Sequence, residues 1–352
     1  MAATGLRRHC LVLHPLGGQR GAVVAEGVEQ LVGPPTLGRP APGVGGVQRG
    51  DPVPLHRRPA SPHQCWPWPE RRVIGFCTDS NSQLPPELAQ RYGVEVVPLT
   101  VVMDGVSYLE GVDLDADRFY RLFQKGASQL STASPSPGRF ADAYAALAAR
   151  GATEILSIHV DAATSATLES ARLAGRAAAV PVWVVDSGTA SFGVACCVWE
   201  AAEAVAKGAE LAQAATVAEA VGARTDNVFV LGALDLARQG GRLEGPGDDG
   251  PVGDPVAVFS FRQGRMVRVG QAASTEEATA VMTSYVRASG SGLRVGIGMA
   301  DPAAAPLWQA LEASLVEAPE VLDLVRYRIG PSVGAHTGPG TIGAFAYPAF
   351  CR

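Results

Sequence analysis

From residue 73 onward, short apolar runs alternate with longer stretches of helical character. The first run, Val73 to Cys77, is followed by Pro85 and Pro86, and prolines in a first turn favour the start of a helix. Alternating strands and helices are typical of parallel sheets with helices packed on their faces. The order of elements therefore predicts an α/β fold.

The same alternation continues to the end of the chain. Further strands are predicted at residues 94–103, 154–160, 182–185, 228–233, 255–261, 293–299 and 321–329. Helices are predicted at residues 115–124, 138–149, 165–178, 190–207, 275–288 and 302–316. A long alanine-rich stretch ends near residues 222–228, and we place a domain boundary there. The expected division is an N-terminal α/β domain over residues 73–224 and a C-terminal α/β domain over residues 225–352.

Residues 1–72 differ in composition from the rest. They contain 11 of the 26 prolines, 11 of the 41 glycines and four of the six histidines, without helical or strand periodicity. Such a segment cannot bury enough apolar surface to form a core. It has no long apolar region with a clear cleavage site, so no signal peptide is predicted. We expect a disordered extension or a stretch upstream of the true start.

Charge and hydropathy exclude two classes of partner. Residues 73–352 hold 20 basic and 30 acidic residues, a net charge of -10 within the -5 of the whole chain. A segment with so negative a net charge is unsuited to binding nucleic acid. The longest apolar stretch, at residues 194–206, is broken by Glu200 and Glu203, so an integral membrane protein is not predicted.

The cysteines and the common nucleotide motifs point away from a metal or cofactor. The six cysteines show no C-x-x-C pair, which predicts reduced thiols in a cytoplasmic protein, and Cys196 and Cys197 are expected in the core. Residues 245–250 and 338–343 fit G-x-G-x-x-G, but neither has the strand before it and helix after it that a dinucleotide site needs. There is no P-loop motif. No cofactor is predicted.

Hydroxyl-rich segments follow several predicted strands, at the sheet edge where open α/β folds bind ligands. Thr78 and Ser80 come after the first strand, where helix capping and ligand contact are both open. Residues 131–137 form a polar loop that leads into a helix. Residues 164–167 begin another helix, whose free N–H groups favour an anion.

A glycine-dense segment from Gly330 to Gly340 carries His336, which with His159 makes up the histidines of the predicted folded part. We predict a turn there. A structural histidine is the ordinary alternative, but flanking glycines let the backbone approach a ligand, and imidazole is a good partner for a carboxylate. With so few candidate bases, a serine hydrolase triad is disfavoured.

In their order along the chain, these segments resemble the DegV family, whose members include the fatty-acid-binding subunits of bacterial fatty acid kinase. The resemblance covers residues 73 to about 347. It is carried by Thr78-Asp79-Ser80, Val97-Pro98-Leu99, Tyr108-Leu109-Glu110-Gly111, the Thr132 to Ser136 loop, the Ser165 to Ala171 segment, Asp186-Ser187, Arg238-Gln239-Gly240-Gly241-Arg242 and Gly334-Ala335-His336-Thr337-Gly338-Pro339-Gly340.

The resemblance implies a two-domain fold, with an N-terminal parallel-sheet domain, a C-terminal α/β domain and a long-chain fatty acid between them. The implied ligand residues are Thr132, Ser165, His336, Thr78, Ser80 and Arg242. The first three would hold the carboxylate, and a separate fatty acid kinase catalytic subunit would phosphorylate it. The chain itself would be a lipid-binding protein and not an enzyme.

The chain departs from the family's pattern near the implied site. Where the family commonly has serine, this chain has Ala133, Asp161 and Ala162, and it has Asp254 where the family commonly has lysine. Acidic residues in place of hydroxyls or a cation weaken an anion site.

Two rival functions remain open. A related fold occurs in a subunit of dihydroxyacetone kinase whose histidine captures a carbonyl substrate, so His336 is a candidate nucleophile of a free-standing enzyme. The second rival is a degenerate paralogue, which keeps the fold and binds another small ligand or no ligand.

Overall fold

Three sheets organise the part of the chain that the structure, a computed structural model, describes: residues 72–239, 241, 256–262 and 265–350. The strands are β1 (Ile74–Asp79), β2 (Glu95–Val97), β3 (Thr100–Met103), β4 (Val106–Leu109), β5 (Leu130–Ala133), β6 (Glu154–His159), β7 (Val182–Asp186), β8 (Asp226–Val230), β9 (Val256–Arg262), β10 (Arg265–Ala272), β11 (Leu293–Met299), β12 (Val321–Arg328) and β13 (Ile342–Pro348). All but the last residue of the predicted extension, together with Arg242 and Asp254, lie outside the described residues.

Helices connect most of these strands. They are α1 (Pro86–Tyr92), α2 (Ala116–Gln124), α3 (Pro137–Ala149), α4 (Thr167–Gly175), α5 (Phe192–Ala206), α6 (Leu211–Arg224), α7 (Leu234–Gln239), α8 (Thr275–Ala288), α9 (Ala305–Val316) and α10 (Pro331–Thr337). None of the described helices has the length and apolarity to cross a membrane.

The first sheet is the parallel sheet that the strand and helix alternation predicts. Its order is β2-β1-β6-β7, and every neighbouring pair is parallel. Its strands come from residues 74–186, and its carboxyl edge carries the segments after β1 and β6. The α/β fold class is therefore confirmed.

The six-stranded sheet corrects the expectation of parallel sheets throughout. Its order is β10-β9-β8-β13-β11-β12, and only β11 and β12 pair in parallel. Strand β13 returns from the chain end and inserts between β8 and β11, antiparallel to both. The boundary proposed near residue 225 falls between α6 and β8, and it remains a prediction.

Three local predictions were wrong. Residues 94–103 are two strands and not one, because Pro98 interrupts the run, and β3 pairs with β4 and β5 in a separate three-stranded antiparallel sheet. The predicted loop at residues 131–137 includes most of β5 and the first residue of α3. The predicted turn at residues 330–340 contains a helix, α10, with Pro331 in its first turn.

Helix α5 lies in a core shared by residues of the four- and six-stranded sheets, among them Phe76, Tyr327 and Phe345. Its Phe192 stacks on Tyr327 of β12, with ring centroids 4.5 Å apart. Cys196 and Cys197 are fully buried, as predicted for core residues, and burial raises the pKa of the Cys197 thiol to about 12. Both thiols are free and protonated at neutral pH.

Candidate functional site

A cavity lies against the carboxyl ends of β5 and β6, the helix α10 and one face of the six-stranded sheet. The volume of the cavity is about 140 Å³. Its described lining residues are Asn81, Leu99, Thr132, Val160, Thr164, Ser165, Ala190, Ser191, Asn227, Phe229, Phe261, Met266, Tyr327, Ile329, Ser332, Val333, His336, Thr337, Thr341, Gly343 and Phe345. The lining combines a group of hydroxyls and an imidazole with a group of aromatic and aliphatic side chains.

The imidazole of His336 contacts the hydroxyl of Thr132. Thr132 Oγ1 and His336 Nε2 are 2.9 Å apart, although the residues are separated by 204 positions in the sequence. β5 supplies the threonine and the last turn of α10 supplies the histidine. The contact therefore joins the three-stranded sheet to the helix that follows β12.

A second group of hydroxyls lies at the start of α4. Ser165 Oγ is 3.0 Å from Ser134 Oγ and 2.8 Å from Thr167 Oγ1, and it accepts a hydrogen bond from the Thr167 amide at 3.3 Å. Because Ser134 follows Thr132 by two residues, the two hydroxyl groups belong to one side of the cavity. This side can donate several hydrogen bonds to an anionic or carbonyl oxygen.

The start of α10 is held by a buried carboxylate. Glu110, which follows β4, accepts hydrogen bonds from the Ser332 amide at 2.9 Å, from Gln83 Nε2 at 3.3 Å and from the hydroxyl of Ser80. Gln83 Oε1 also accepts from the Gly330 amide. Burial raises the pKa of Glu110 above its ordinary value of 4.5, although these donors favour the ionised form. The network fixes the helix that carries His336.

The rest of the cavity is mainly apolar. Phe229 and Phe345 come from the middle of the six-stranded sheet, whereas Phe261 and Met266 come from the β9–β10 hairpin. The side chain of Asn227 spans the gap to β9, donating to the Phe261 carbonyl at 2.9 Å and accepting from its amide at 2.6 Å. Its polar atoms are thereby satisfied by the backbone, which leaves an apolar environment for a ligand.

Some implied ligand residues lie away from the cavity lining. Thr78 is fully buried and donates to the Ile158 carbonyl at 2.8 Å. Ser80 donates to Glu110 and accepts from the Leu99 amide at 2.9 Å. The segment acts as a cap, because Asp79 accepts from the amide of Asn81 at 3.1 Å. The structure brings Thr132, Ser165 and His336 to one cavity, and it does not bring Thr78 and Ser80 there.

The second histidine belongs to a buried hydrogen-bond chain. His159 Nδ1 is 2.9 Å from Asp79 Oδ2, His159 Nε2 is 2.6 Å from Ser157 Oγ, and Ser157 Oγ is 2.9 Å from the Tyr144 hydroxyl. This order matches that of a catalytic triad, but Asp79, His159 and Ser157 are each 0% exposed. No substrate can reach such a serine, so this hydrogen-bond network has a structural role.

Residues 330–334 fit the G-x-S-x-G pattern of hydrolase nucleophiles, centred on Ser332. Ser332 is 2% exposed, lies in the first turn of α10, and accepts a hydrogen bond from Gln83 Nε2 at 3.4 Å. A nucleophile elbow instead exposes its serine on a strained turn between strand and helix. The pattern therefore reflects the start of α10.

Comparison with known proteins places this geometry in a family. The protein-family model described as "Uncharacterised protein, DegV family" matches residues 74–349 of the sequence. A DegV domain-containing protein of Streptomyces coelicolor is 33% identical over 276 residues, 77% of this chain and 97% of that protein. A solved structure described as fatty acid binding of a DegV family protein from Thermus thermophilus is 31% identical, with a TM-score of 0.70 over 78% of this chain and 99% of that chain.

A more distant structure shares the fold. It is a stearic-acid-binding protein from Eubacterium ventriosum, 22% identical, with a TM-score of 0.69 over 79% of this chain and 99% of that chain.

Proposed function

This chain belongs to the DegV family, and from that premise we propose that it binds a long-chain fatty acid and presents the carboxylate to a partner acyl kinase. The observation that carries the proposal is the cavity that Thr132, Ser165 and His336 line together with a group of aromatic and aliphatic side chains. A cytoplasmic location is part of the proposal, and the free buried thiols of Cys196 and Cys197 agree with it.

The polar side of the cavity suits a carboxylate. Hydroxyls of Thr132 and Ser165 and the imidazole of His336 are all hydrogen-bond donors, and two of the three already lie within 2.9 Å of each other. A hydrogen bond to a charged group contributes about 1.5–3 kcal/mol. Because the three groups line one cavity, one carboxylate can accept hydrogen bonds from several of them.

The apolar side of the cavity suits the acyl chain. Phe229, Phe261, Met266 and Phe345 present rings and a flexible thioether to the same space. Burial of each methylene contributes about 0.8 kcal/mol, on the order of ten kcal/mol for a long chain before its ordering cost is subtracted. The tail therefore supplies most of the affinity and the polar side fixes the orientation.

Transfer of a phosphoryl group would be the partner's chemistry. The chain has no P-loop motif, and its two lysines, Lys125 and Lys207, flank no glycine-rich phosphate loop. Its contribution would be to hold the carboxylate so that one oxygen can attack a phosphorus atom brought by the kinase, which is catalysis by positioning.

Organic extraction of the purified protein followed by mass spectrometry tests the binding function directly. We expect a long-chain fatty acid in the extract, and less of it from the double variant with Thr132→Val and His336→Ala. A carbonyl adduct on the peptide that contains His336 would support the rival enzyme. A protein that stays empty after incubation with fatty acids would support the degenerate paralogue.

A further inference from the structure

Four residues form one row across four adjacent strands of the six-stranded sheet. Strand pairing places Phe229 of β8 opposite Gly343 of β13, Gly343 opposite Gly298 of β11, and Gly298 opposite Tyr327 of β12. Residues in register on adjacent strands project to the same face of a sheet. Two glycines therefore lie between two aromatic residues in this row.

Gly298 is explained by crowding. A Cβ atom there would lie 2.2 Å from Cζ of Tyr327, so the tyrosine ring covers this glycine. The ring cannot easily move away, because it stacks on Phe192 with centroids 4.5 Å apart. The space above Gly298 is occupied by the protein itself.

Gly343 has no such explanation. Its φ is not positive, so its extended backbone admits an L-residue. A Cβ atom there would meet the Tyr327 hydroxyl at 3.3 Å and Cβ of Phe229 at 3.6 Å, which small shifts can accommodate. The space above it belongs to the cavity, which Gly343, Phe229 and Tyr327 all line. The missing side chain therefore leaves volume for a ligand.

We propose that Gly343 is a specificity-determining residue, and that the space above it, between Phe229 and Tyr327, receives the acyl chain and sets the length of chain accepted. The inference rests on the proposed function. A larger residue at position 343 would fill this space from the floor. Chains long enough to reach this space would lose contacts there, whereas chains that end before it would be unaffected.

The test compares the affinities of the delipidated full-length protein for myristate and stearate, which share a headgroup and differ in length. Each excluded methylene should cost about fourfold in affinity. We expect Gly343→Ala to reduce the preference for stearate by about that factor, and Gly343→Val to reduce it by tens of fold. Myristate affinity should stay close to that of the wild type.

Ala344→Val is the matched control. Ala344 is the next residue of β13, points to the opposite face and is fully buried in a separate core cluster with Val295 and Ile297. The valine of Ala344→Val overpacks the same strand without filling the cavity, so the preference of this variant for stearate should equal that of the wild type. If Gly343→Val does not fold, Gly343→Ala combined with Tyr327→Phe decides, since this removes the hydroxyl nearest the new methyl.

The outcomes separate the two proposals. A folded Gly343 variant that binds both fatty acids with wild-type preference overturns the role of Gly343 and leaves fatty-acid binding intact. Failure of the wild-type protein to bind either fatty acid overturns the proposed function and this inference with it.

Discussion

The carboxylate of Glu110 accepts a hydrogen bond of 2.9 Å from the backbone amide of Ser332, 222 residues further along the chain. Glu110 is 6% exposed, and it lies where the turn after β4 meets the start of α10. Because α10 carries His336, the geometry of the candidate site depends on a carboxylate that does not line the cavity. Its protonation state should then affect the stability of the protein.

The first prediction concerns pH. Burial raises the folded-state pKa of Glu110 above its ordinary value of 4.5, so the protonated side chain is the form that folding favours. Its contribution to stability is full below that value and is lost as pH rises through the raised pKa. Relative to Glu110→Gln, the wild type should lose about 1.4 kcal/mol per pH unit between 4.5 and the raised pKa, and lose no more above the raised pKa. Urea unfolding of both proteins at intervals from about pH 5 to about pH 8 measures this difference in stability.

Glu320→Gln supplies the control with the opposite sign. Its hydrogen bonds with Arg287 lower the pKa of Glu320 below 4.5, so its contribution is present above the unfolded-state pKa and lost only in acid. The difference between Glu320→Gln and the wild type should be constant in the same pH range. Parallel stability curves for Glu110→Gln and the wild type would contradict the pH prediction.

The second prediction concerns the hydrogen-bonding side of the cavity. Thr132→Val and His336→Ala should each weaken fatty-acid binding by about 1.5–3 kcal/mol, because each removes a donor to a buried carboxylate. Thr132→Ser keeps the hydroxyl and should retain most of the affinity. As Thr132 and His336 touch, the losses in a double-mutant cycle should not add. Isothermal titration calorimetry measures the affinities of the wild type and the four variants.

Thr283→Val controls for the loss of a hydroxyl in general. Thr283 donates to Ser314 Oγ at 3.0 Å, between α8 and α9, and it does not line the cavity. Its affinity for fatty acids should equal that of the wild type. Wild-type affinity in the double variant of Thr132 and His336 would place the carboxylate elsewhere.

The third prediction concerns the contact between α5 and the six-stranded sheet. Glu200 of α5 is 2% exposed and pairs with Arg294 of β11, and it accepts from the Tyr347 hydroxyl at 3.2 Å. Arg294→Met would leave the carboxylate buried without its cation, which costs about 3–5 kcal/mol. The loss should be visible as a lower urea midpoint.

Arg287→Met is its matched control. Arg287 pairs with Glu320 through two hydrogen bonds of 2.8 Å, but its side chain is 47% exposed. Exposed pairs contribute about 0–1 kcal/mol. Equal destabilisation by the two substitutions would show that burial does not govern the Glu200–Arg294 pair. Adding Glu200→Gln to Arg294→Met should recover part of the loss.

Elements defined by local pattern were predictable from the sequence. Strand β11 and helix α8 have the predicted bounds, Leu293–Met299 and Thr275–Ala288. In α8, Ser274 accepts from the Glu277 amide at 3.2 Å, a cap that the sequence itself contains. Apolar periodicity and caps act over a few residues, so they can be recognised without knowledge of the fold.

Elements defined by distant partners were not predictable. β5 is a strand because Thr132 pairs with Val101 across the three-stranded sheet, and the polar sequence around it suggests a loop. Glycine disfavours a helix, yet Gly334 lies inside α10. A Cβ atom at that position would lie 2.6 Å from the Tyr120 hydroxyl and 2.8 Å from Phe119. That glycine serves close packing against α2, which the local sequence does not reveal.

The same distinction applies to the candidate site. Thr132, Ser165 and His336 were selected by chemistry and by resemblance, and the structure gathers them at one cavity. Glu110 and Gly343 were not selected as site residues. The role of Glu110 depends on a contact with Ser332. The role proposed for Gly343 depends on the register of three other strands. Such relationships arise only from the assembled fold.

The last prediction concerns the division of labour with a kinase. Given ATP, magnesium and a fatty acid, the purified protein alone should form no acyl phosphate, and addition of a fatty acid kinase catalytic subunit should allow it. The sequence has no P-loop to cradle a triphosphate, so the chain would contribute only the positioned carboxylate. Transfer of radiolabelled phosphate, trapped with hydroxylamine, measures the product. With the kinase present, Thr132→Val should lower the rate and Thr283→Val should not, because only the first removes a group from the cavity. Turnover without the kinase that disappears in His336→Ala would refute the carrier function and support the enzyme.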